Sequence, residues 1–312
     1  MMSGVLVPGP CLAVLWRRLP MTFLRSSAFA LALLLCVPLI HAQSAVDTLN
    51  VTFTTIDVPG AGVTGVYGIN SVGDMVGYYG TDSNDPNKHG FLLSGGNFTY
   101  LDYPNASATF AYAINDADLI IGSAEFNGGL TTVGFSYDGS TYVSIRDGKQ
   151  STTITYAISS VGDIVGGAGG PYATKGFELH NGKFKTLNVP GTYSYVFASG
   201  INKIGTIVGW ADYDAFTCRH GSCQIADYSG ASWTANRGIN DSGIIVGWYF
   251  LSGTGYAFAL RNGKYLSFTY PGAAGTFADA INASGQIVGQ YTFDYQTFHG
   301  FVTNPITTTD FP

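Results

Sequence analysis

Aromatic residues cluster where the second strand of a short repeated segment is expected to end, and in the loops that follow. They are Tyr79, Trp210, Tyr213, Trp248, Tyr249, Tyr291 and Tyr295. Aromatic faces stack on the apolar C–H surface of sugar rings, and nearby Asp or Asn side chains orient the hydroxyl groups. These residues therefore predict a carbohydrate-binding face, with the alternative that Tyr and Trp simply favour strand ends.

Two of the same loops bring oxygen ligands together. The stretch TDSNDPN contains Asp82, Asn84 and Asp85, and ADYDAF contains Asp212 and Asp214. Such clusters suit Ca²⁺, although the first stretch lacks the glycine and the distal glutamate of an EF-hand loop. Calcium is one interpretation and ordinary polar loops are the other; no other cofactor is expected.

The sequence contains no GxSxG or HExxH motif that would indicate a nucleophile or a zinc enzyme. Four loop carboxylates could still supply a glycosidase pair across a ring-shaped fold. They are Asp82, Asp212, Asp214 and Asp294. Nothing in the sequence distinguishes a catalytic pair among them, so we expect a binding protein and keep a glycoside hydrolase or lyase as the alternative.

Cysteine and histidine residues have structural explanations. Cys218 and Cys223 form a close pair in CRHGSC, which predicts a disulfide in an oxidising compartment. Zinc held by both cysteines and His220 is the alternative. His89 and His299 occupy the same position in two repeats, which indicates a structural role rather than catalysis.

These residues are carried by a segment of the form Ile-Asn-x-x-Gly-x-Ile-Val-Gly that occurs six times. Its anchor residues are Asn70, Asn115, Ser159, Asn202, Asn240 and Asn282, spaced by 45, 44, 43, 38 and 42 residues. This period is typical of four-stranded propeller blades. Asn or Ser opens a hairpin turn and the first glycine closes it. The second glycine indicates a close backbone approach, interpreted as contact with a neighbouring blade.

Each repeat continues with a third strand around a Gly-Phe or similar pair and a fourth strand after a tight turn. A lone fourth strand, residues 51–59, precedes the first repeat, and the last repeat ends after its third strand. We therefore predict an all-β, six-bladed propeller over residues 48–304, closed by strand 51–59 in the last blade, with a short tail at 305–312. An open solenoid and a β-sandwich are the alternatives.

The fourth repeat is expected to be irregular. With Ile225 at the phenylalanine position, only 15 residues lead to Asn240, against 24 or 25 in the other repeats. This blade is therefore predicted to lack its outer strand and to leave an edge open to a partner strand.

The repeated motif, with HGF at 89–91 and 299–301 and YAF at 256–258, resembles a bacterial extracellular repeat family named for its His-Ala-Phe motif. The resemblance covers nearly all of the chain after residue 45. It implies an exported propeller similar to kelch and WD40 proteins. It implies no activity, cofactor or catalytic residue.

Residues 21–45 have the basic, apolar and small-residue regions of a secretory signal, and residues 1–20 are interpreted as upstream sequence. Loss of Arg17, Arg18 and Arg25 changes the net charge from −6 to −9, which argues against nucleic acid and anionic membranes. No later run is long enough to span a membrane. We expect an exported, soluble monomer.

Together these features predict a secreted, non-enzymatic propeller scaffold. It would bind an extracellular polysaccharide or surface protein through the variable loops between second and third strands. A structural or adhesive protein that pairs through the edge of blade four is a further alternative.

Overall fold

The computed structural model describes residues 47–148, 150–170 and 173–311. The predicted signal peptide and upstream segment lie outside these ranges. Within them the chain forms 24 β-strands and one short 3-10 helix, Thr308–Asp310. None of the described helical residues belongs to a helix long and apolar enough to cross a membrane.

The strands pair antiparallel in units of four, one for each repeat. Single parallel contacts, Thr152 with Thr132 and Gly255 with Gly275, join units two and three and units five and six into two eight-stranded sheets, whereas units one and four are separate four-stranded sheets. β1 (Phe53–Ile56) precedes the repeats. Units one to three contain β2 (Val63–Ile69), β3 (Met75–Gly80), β4 (His89–Ser94), β5 (Asn97–Leu101), β6 (Ala108–Ile114), β7 (Ile120–Phe126), β8 (Thr131–Tyr137), β9 (Tyr142–Ile145), β10 (Thr152–Ile158), β11 (Ile164–Gly170), β12 (Ala173–His180) and β13 (Lys183–Thr186). Units four to six contain β14 (Val196–Ile201), β15 (Ile207–Ala211), β16 (Asp214–Arg219), β17 (Ser222–Ile225), β18 (Trp233–Ile239), β19 (Ile245–Leu251), β20 (Thr254–Arg261), β21 (Lys264–Phe268), β22 (Gly275–Ile281), β23 (Ile287–Thr292) and β24 (His299–Thr303).

The first strand of the chain supplies the fourth strand of unit six. β1 runs antiparallel to β24, with Phe53 opposite Thr303 and Ile56 opposite Gly300. The tail after β24 is also fixed, because Ile306 is buried and its backbone N–H donates to the carbonyl of Gly285 at 2.9 Å. β1 and the tail after β24 therefore both pack on unit six, whereas residues 47–49 run along Ser267 in the outer strand of unit five.

Every inner strand, the first strand of its unit, contains a β-bulge three residues before the anchor. The register shifts at this point in all six pairs of first and second strands. The unpaired residues are Tyr67, Tyr112, Tyr156, Ser199, Arg237 and Asp279. A bulge turns the extra residue out of the normal strand alternation. We call these six residues the channel ring.

The second glycine of the repeat makes its close approach inside its own unit, which corrects the predicted contact with a neighbouring blade. A Cβ on Gly247 would lie 2.9 Å from Cζ of Phe258 and closer still to the carbonyl oxygen of Ala235. Ala235 lies opposite Trp248 on the inner strand beside the bulge. The glycine therefore leaves room for the backbone of the bulged strand and for the Phe of the third strand.

The anchor asparagines fix the hairpin turn and also link units. The Oδ1 of Asn240 accepts from the backbone N–H of Ile244 at 3.1 Å, as the turn prediction requires. Its Nδ2 donates to the carbonyl of Asn282 at 3.2 Å, and the Nδ2 of Asn282 donates to the carbonyl of Asn70 at 3.0 Å. One amide therefore satisfies a tight turn and the backbone of the next unit.

Unit four is regular, so the predicted loss of its outer strand is wrong. Phe216, not Ile225, lies opposite Gly209 and takes the phenylalanine position, 24 residues before Asn240. Ile225 belongs to the outer strand β17, which pairs with β16. The misassignment arose because the loop between β15 and β16 is only a tight turn, which brings the third strand forward in the sequence.

Substitution of Gly247 by Ala should lower the unfolding free energy by about 2 kcal/mol or more, because the added methyl group overlaps backbone that cannot move away. Gly170→Ala is the matched control, since no heavy atom lies within 4 Å of the added Cβ. Urea denaturation measures both variants. Equal stability of the two would contradict the packing account of this glycine.

Candidate functional site

The channel ring surrounds a cavity to which each unit contributes three consecutive residues, beginning with its channel-ring residue. All six of its members line this cavity. Three are tyrosines from units one to three, and Ser199, Arg237 and Asp279 come from units four to six. The channel therefore has an aromatic half and a polar, charged half.

Below the channel ring, each inner strand places an isoleucine immediately before its anchor. The six residues are Ile69, Ile114, Ile158, Ile201, Ile239 and Ile281. They line both the ring cavity and a second cavity on the side of the hairpin turns. This apolar layer lies between the two cavities and forms the floor under the channel ring.

Above the ring lies a cavity of about 300 Å³ on the side of the loops between second and third strands. Its walls contain the three ring tyrosines, Arg237 and Asp279, together with Trp248, Phe277, Gln290 and Phe298. We call it the mouth cavity. Its size matches the lower end of small-ligand pockets, and its apolar walls with few polar groups are typical of them.

Arg237 and Asp279 form a buried ion pair at the bottom of the mouth cavity. Nε of Arg237 donates to Oδ1 of Asp279 at 2.9 Å, and the two side chains are 13% and 3% exposed. The Oδ2 of Asp279 is buried and has no hydrogen-bond partner among the described residues. The Arg237 guanidinium lies 5.8 Å from the ring centroid of Tyr67 and 5.5 Å from that of Tyr156. Arg237 therefore reaches from unit five toward units one and three.

Burial raises the pKa of Asp279 to about 6, because the positive charge of Arg237 offsets the loss of water only in part. The groups around this carboxyl are Arg237 on β18 and the tyrosines Tyr67, Tyr78 and Tyr156 on β2, β3 and β10. The ion pair is thus formed at neutral pH and weakens as Asp279 takes up a proton in mildly acidic solution.

The ring tyrosines form a continuous aromatic wall. The ring centroids of Tyr67 and Tyr112 are 5.3 Å apart, and those of Tyr112 and Tyr156 are 4.8 Å apart. Burial raises the pKa of Tyr67 and of Tyr112 well above its usual value, so both hydroxyls keep their protons at neutral pH. The wall is uncharged and offers O–H donors.

Three tryptophans lie together beside the mouth cavity. Trp233 is at the centre and contacts three of the predicted aromatic residues. Trp233, which the sequence analysis missed, packs against Trp248 at 5.0 Å, Tyr213 at 5.4 Å and Trp210 at 6.3 Å between ring centroids. Trp248 also packs edge-on against Phe277 at 5.6 Å. The cluster extends the cavity wall from unit six to unit four.

The other predicted aromatic residues do not join this surface. Tyr79, Tyr249 and Tyr291 are one residue further along their strands than the positions that face the channel, and successive strand residues face opposite ways. Tyr249 is fully buried against Tyr228, and Tyr291 is stacked on Tyr270.

Tyr79 and Tyr295 lie in separate surroundings. Tyr79 stacks on His89, with ring centroids 5.2 Å apart. Tyr295 lies in the loop before β24, and its hydroxyl donates to the carbonyl of Ala274 at 2.7 Å. The seven candidates are therefore not one binding face.

In the first calcium candidate, a lysine ammonium occupies the place of a cation. Nζ of Lys88 donates to the carbonyls of Asp82 and Asp85 at 2.6 and 2.8 Å. The carboxylate of Asp85 accepts from Thr81, and the backbone N–H groups of Thr81 and Asn87 lower its pKa to about 2. Asn84 donates its backbone N–H to Asp82.

The remaining loop carboxylates are also engaged in local structure. Asp212 accepts from the backbone N–H groups of Ser194 and Tyr195, and Asp214 accepts from the hydroxyl of Tyr193 at 2.8 Å. Asp294 accepts from two backbone N–H groups of its own loop. No group of three or more His, Cys, Asp and Glu side chains in the described ranges could hold a metal ion.

The predicted disulfide is confirmed, since Cys218 and Cys223 are bonded across the β16–β17 hairpin. This removes the zinc alternative. His89 and His299 each bond the Asp that immediately follows the outer strand of their own unit, at 2.8 Å to Asp102 and 2.9 Å to Asp57. These contacts tie third strands to outer strands.

The channel ring is not among the residues predicted from the sequence, although a signal for it is present. In the six repeats, the position three residues before the anchor reads Tyr, Tyr, Tyr, Ser, Arg and Asp, whereas the two residues that follow it are always Gly or Ala and then Ile. Such variation inside a constant scaffold indicates a position free to serve binding. Its direction into the channel depends on the bulge, which the strand pattern does not reveal.

The unfolding free energy should carry a signature of Asp279. The pKa of Asp279 is about 6 in the folded chain, above the usual 3.8. The protonated carboxyl therefore adds to the unfolding free energy in acid, and this stabilisation is lost as pH rises through about 6. Relative to wild type, Asp279→Asn should therefore become more stable by about 2 kcal/mol between about pH 4 and about pH 7. Urea denaturation at both pH values measures this, and parallel pH profiles would contradict the assignment.

No family model matches the sequence, and no curated protein matches it. Among solved structures, a protein described as a candidate gluconolactonase has a TM-score of 0.52 at 13% identity, over 83% of this chain and 94% of its own. A Dyadobacter fermentans protein of unknown function has a TM-score of 0.50 at 12% identity, over 84% and 97% of the two chains. The β-propeller domain of the trilobed protease from Pyrococcus furiosus has a TM-score of 0.47 at 8% identity, over 78% and 94%. The structural neighbours are β-propellers, and this chain shares with them an all-β architecture of four-stranded antiparallel units.

Proposed function

We propose that this protein is an exported six-bladed β-propeller that binds the end of an extracellular saccharide chain in the mouth cavity. The observation that carries the proposal is the meeting of Trp248 and Phe277 with the Arg237–Asp279 pair in one cavity. Aromatic faces bind the C–H surface of a sugar, and buried polar groups fix its hydroxyls.

Several contacts support a ring closed by unit six and unit one. β1 pairs with β24 in unit six, and the backbone N–H of Thr64 in unit one donates to the carbonyl of Phe298 at 2.8 Å. The Asn282 amide reaches the carbonyl of Asn70 in unit one. Six units that each present one channel-ring residue to a common cavity agree with six blades.

Export and a scaffold role are parts of the proposal that rest on other observations. The disulfide of unit four fits an oxidising compartment. The adhesive role was expected because the edge of the third strand in unit four would be left without a partner. In the structure the outer strand β17 pairs with that third strand, β16. Binding at the mouth cavity is therefore favoured over strand addition at that unit.

An enzyme that acts on the same ligand is the second candidate. Burial raises the pKa of Glu125. Burial also raises the pKa of Tyr156, and the charges of Asp279 and Glu125 add to that shift while the charge of Arg237 opposes it. Two carboxyls of raised pKa near one tyrosine are the kind of groups that acid–base chemistry uses. Release of product from a bound oligosaccharide would select this candidate.

Trp248→Ala should weaken saccharide binding about tenfold, because it removes a stacking surface from the cavity. The control is Tyr100→Ala, which removes a 54% exposed aromatic side chain outside the cavity. Titration calorimetry of both variants against a panel of neutral and acidic oligosaccharides measures the difference. Equal loss in both variants, or binding by neither wild type nor variants, would contradict the proposed site.

Ring closure is tested by removing β1. A chain that begins at Val58 should unfold with several kcal/mol less stability than a chain that begins at Ala45, because the edge of β24 loses its partner strand. Urea denaturation followed by tryptophan fluorescence measures both. Identical midpoints and slopes would contradict closure through β1.

A further inference from the structure

Hydrogen-bond donors outnumber acceptors at the bottom of the mouth cavity. The guanidinium of Arg237 has five N–H donors, and among the described residues it makes one hydrogen bond, from Nε to Asp279. The N–H groups of both Nη nitrogens are therefore free of protein acceptors in those residues. The hydroxyls of Tyr112 and Tyr156 also make no hydrogen bond there and line the same cavity.

Asp279 positions Arg237 without covering this donor edge. Its Oδ1 takes only the Nε–H, and its Oδ2 is enclosed and makes no hydrogen bond within the described chain. The rings of Tyr67 and Tyr156 flank the guanidinium. The arginine is thus held in place from three sides, while its Nη groups are left for a ligand.

A planar guanidinium edge matches a carboxylate, which accepts two parallel N–H bonds. Such a pair is stronger than hydrogen bonds to neutral hydroxyls and more specific in direction. A uronic acid carries its carboxylate on a ring whose C–H face can lie against Trp248 or Phe277. We infer that the mouth cavity selects a saccharide end that carries a carboxylate, an inference that rests on the proposed saccharide function.

The remaining charges set the pH dependence of this preference. Asp279 and Glu125 are the acidic groups that act on the ring tyrosines, and Arg237 is the basic one. Protonation of Asp279 removes a negative charge beside the ligand. Binding of a carboxylate should therefore tighten as pH falls from about 7 to about 5, where a sugar carboxyl with an ordinary pKa near 4 is still ionised.

The test compares trigalacturonate with its fully methyl-esterified form by titration calorimetry of the full exported chain. The acid should bind about tenfold more tightly than the ester at low ionic strength. Arg237→Lys keeps the charge but lacks the paired Nη donors, so the preference for the acid should fall to about threefold or less. The ester should bind this variant as it binds wild type.

Two further variants keep the result interpretable. Arg219→Gln removes one exposed positive charge from the β16–β17 hairpin and should leave the preference unchanged. If Arg237→Lys does not fold, the double variant Arg237→Gln, Asp279→Asn removes both buried charges and should also lose the preference.

Equal binding of acid and ester by wild type would overturn this inference and leave the proposed saccharide function standing. Retention of the preference in Arg237→Lys or in the double variant would also overturn it. Failure of wild type to bind either form would overturn this inference, and failure to bind the whole panel of neutral and acidic oligosaccharides as well would overturn the proposed function.

Discussion

The β-bulge in each inner strand is the constraint on which the channel depends. A regular strand would pair every residue with its neighbour and alternate faces without interruption. The extra residue escapes this pairing, and a glycine on the second strand gives the displaced backbone room. Six copies of this device aim six side chains at one cavity. The repeated hairpin is thus both the structural unit and the support of the channel ring.

The constancy of the hairpin allows the channel ring to vary. The anchor side chains hold the turns, and the anchor amides of units four to six also donate to the backbone of the next unit. The isoleucine layer closes the floor in all six units. Because neither depends on the side chain three residues before the anchor, that position can change from Tyr to Arg or Asp. The result is an asymmetric site in a nearly symmetric scaffold, with the Arg237–Asp279 pair facing a tyrosine wall.

The sequence predicted the strands, the hairpin turns, the pairing of β1 with the last unit and the disulfide, because these follow from local periodicity, turn chemistry and chain ends. It failed at unit four because a two-residue connection shifted the third strand relative to its homologous positions. The sequence also grouped seven aromatic residues into one face, because their strand positions alone do not show which way each side chain points. Trp248 and Tyr249 are adjacent in sequence, yet the strand turns one toward the cavity and buries the other. Prediction of the channel ring would have required the position of the β-bulge, which no residue pattern shows directly.

The proposed binding site consists of the channel ring and the mouth cavity. A crystal structure of a chain that begins at Ala45, soaked with trigalacturonate, is the decisive test of this site. We expect a sugar ring against Trp248 or Phe277, with its carboxylate within hydrogen-bond distance of the Nη atoms of Arg237. A saccharide bound only at outer positions such as Tyr79 or Tyr295, with the cavity filled by water, would contradict it.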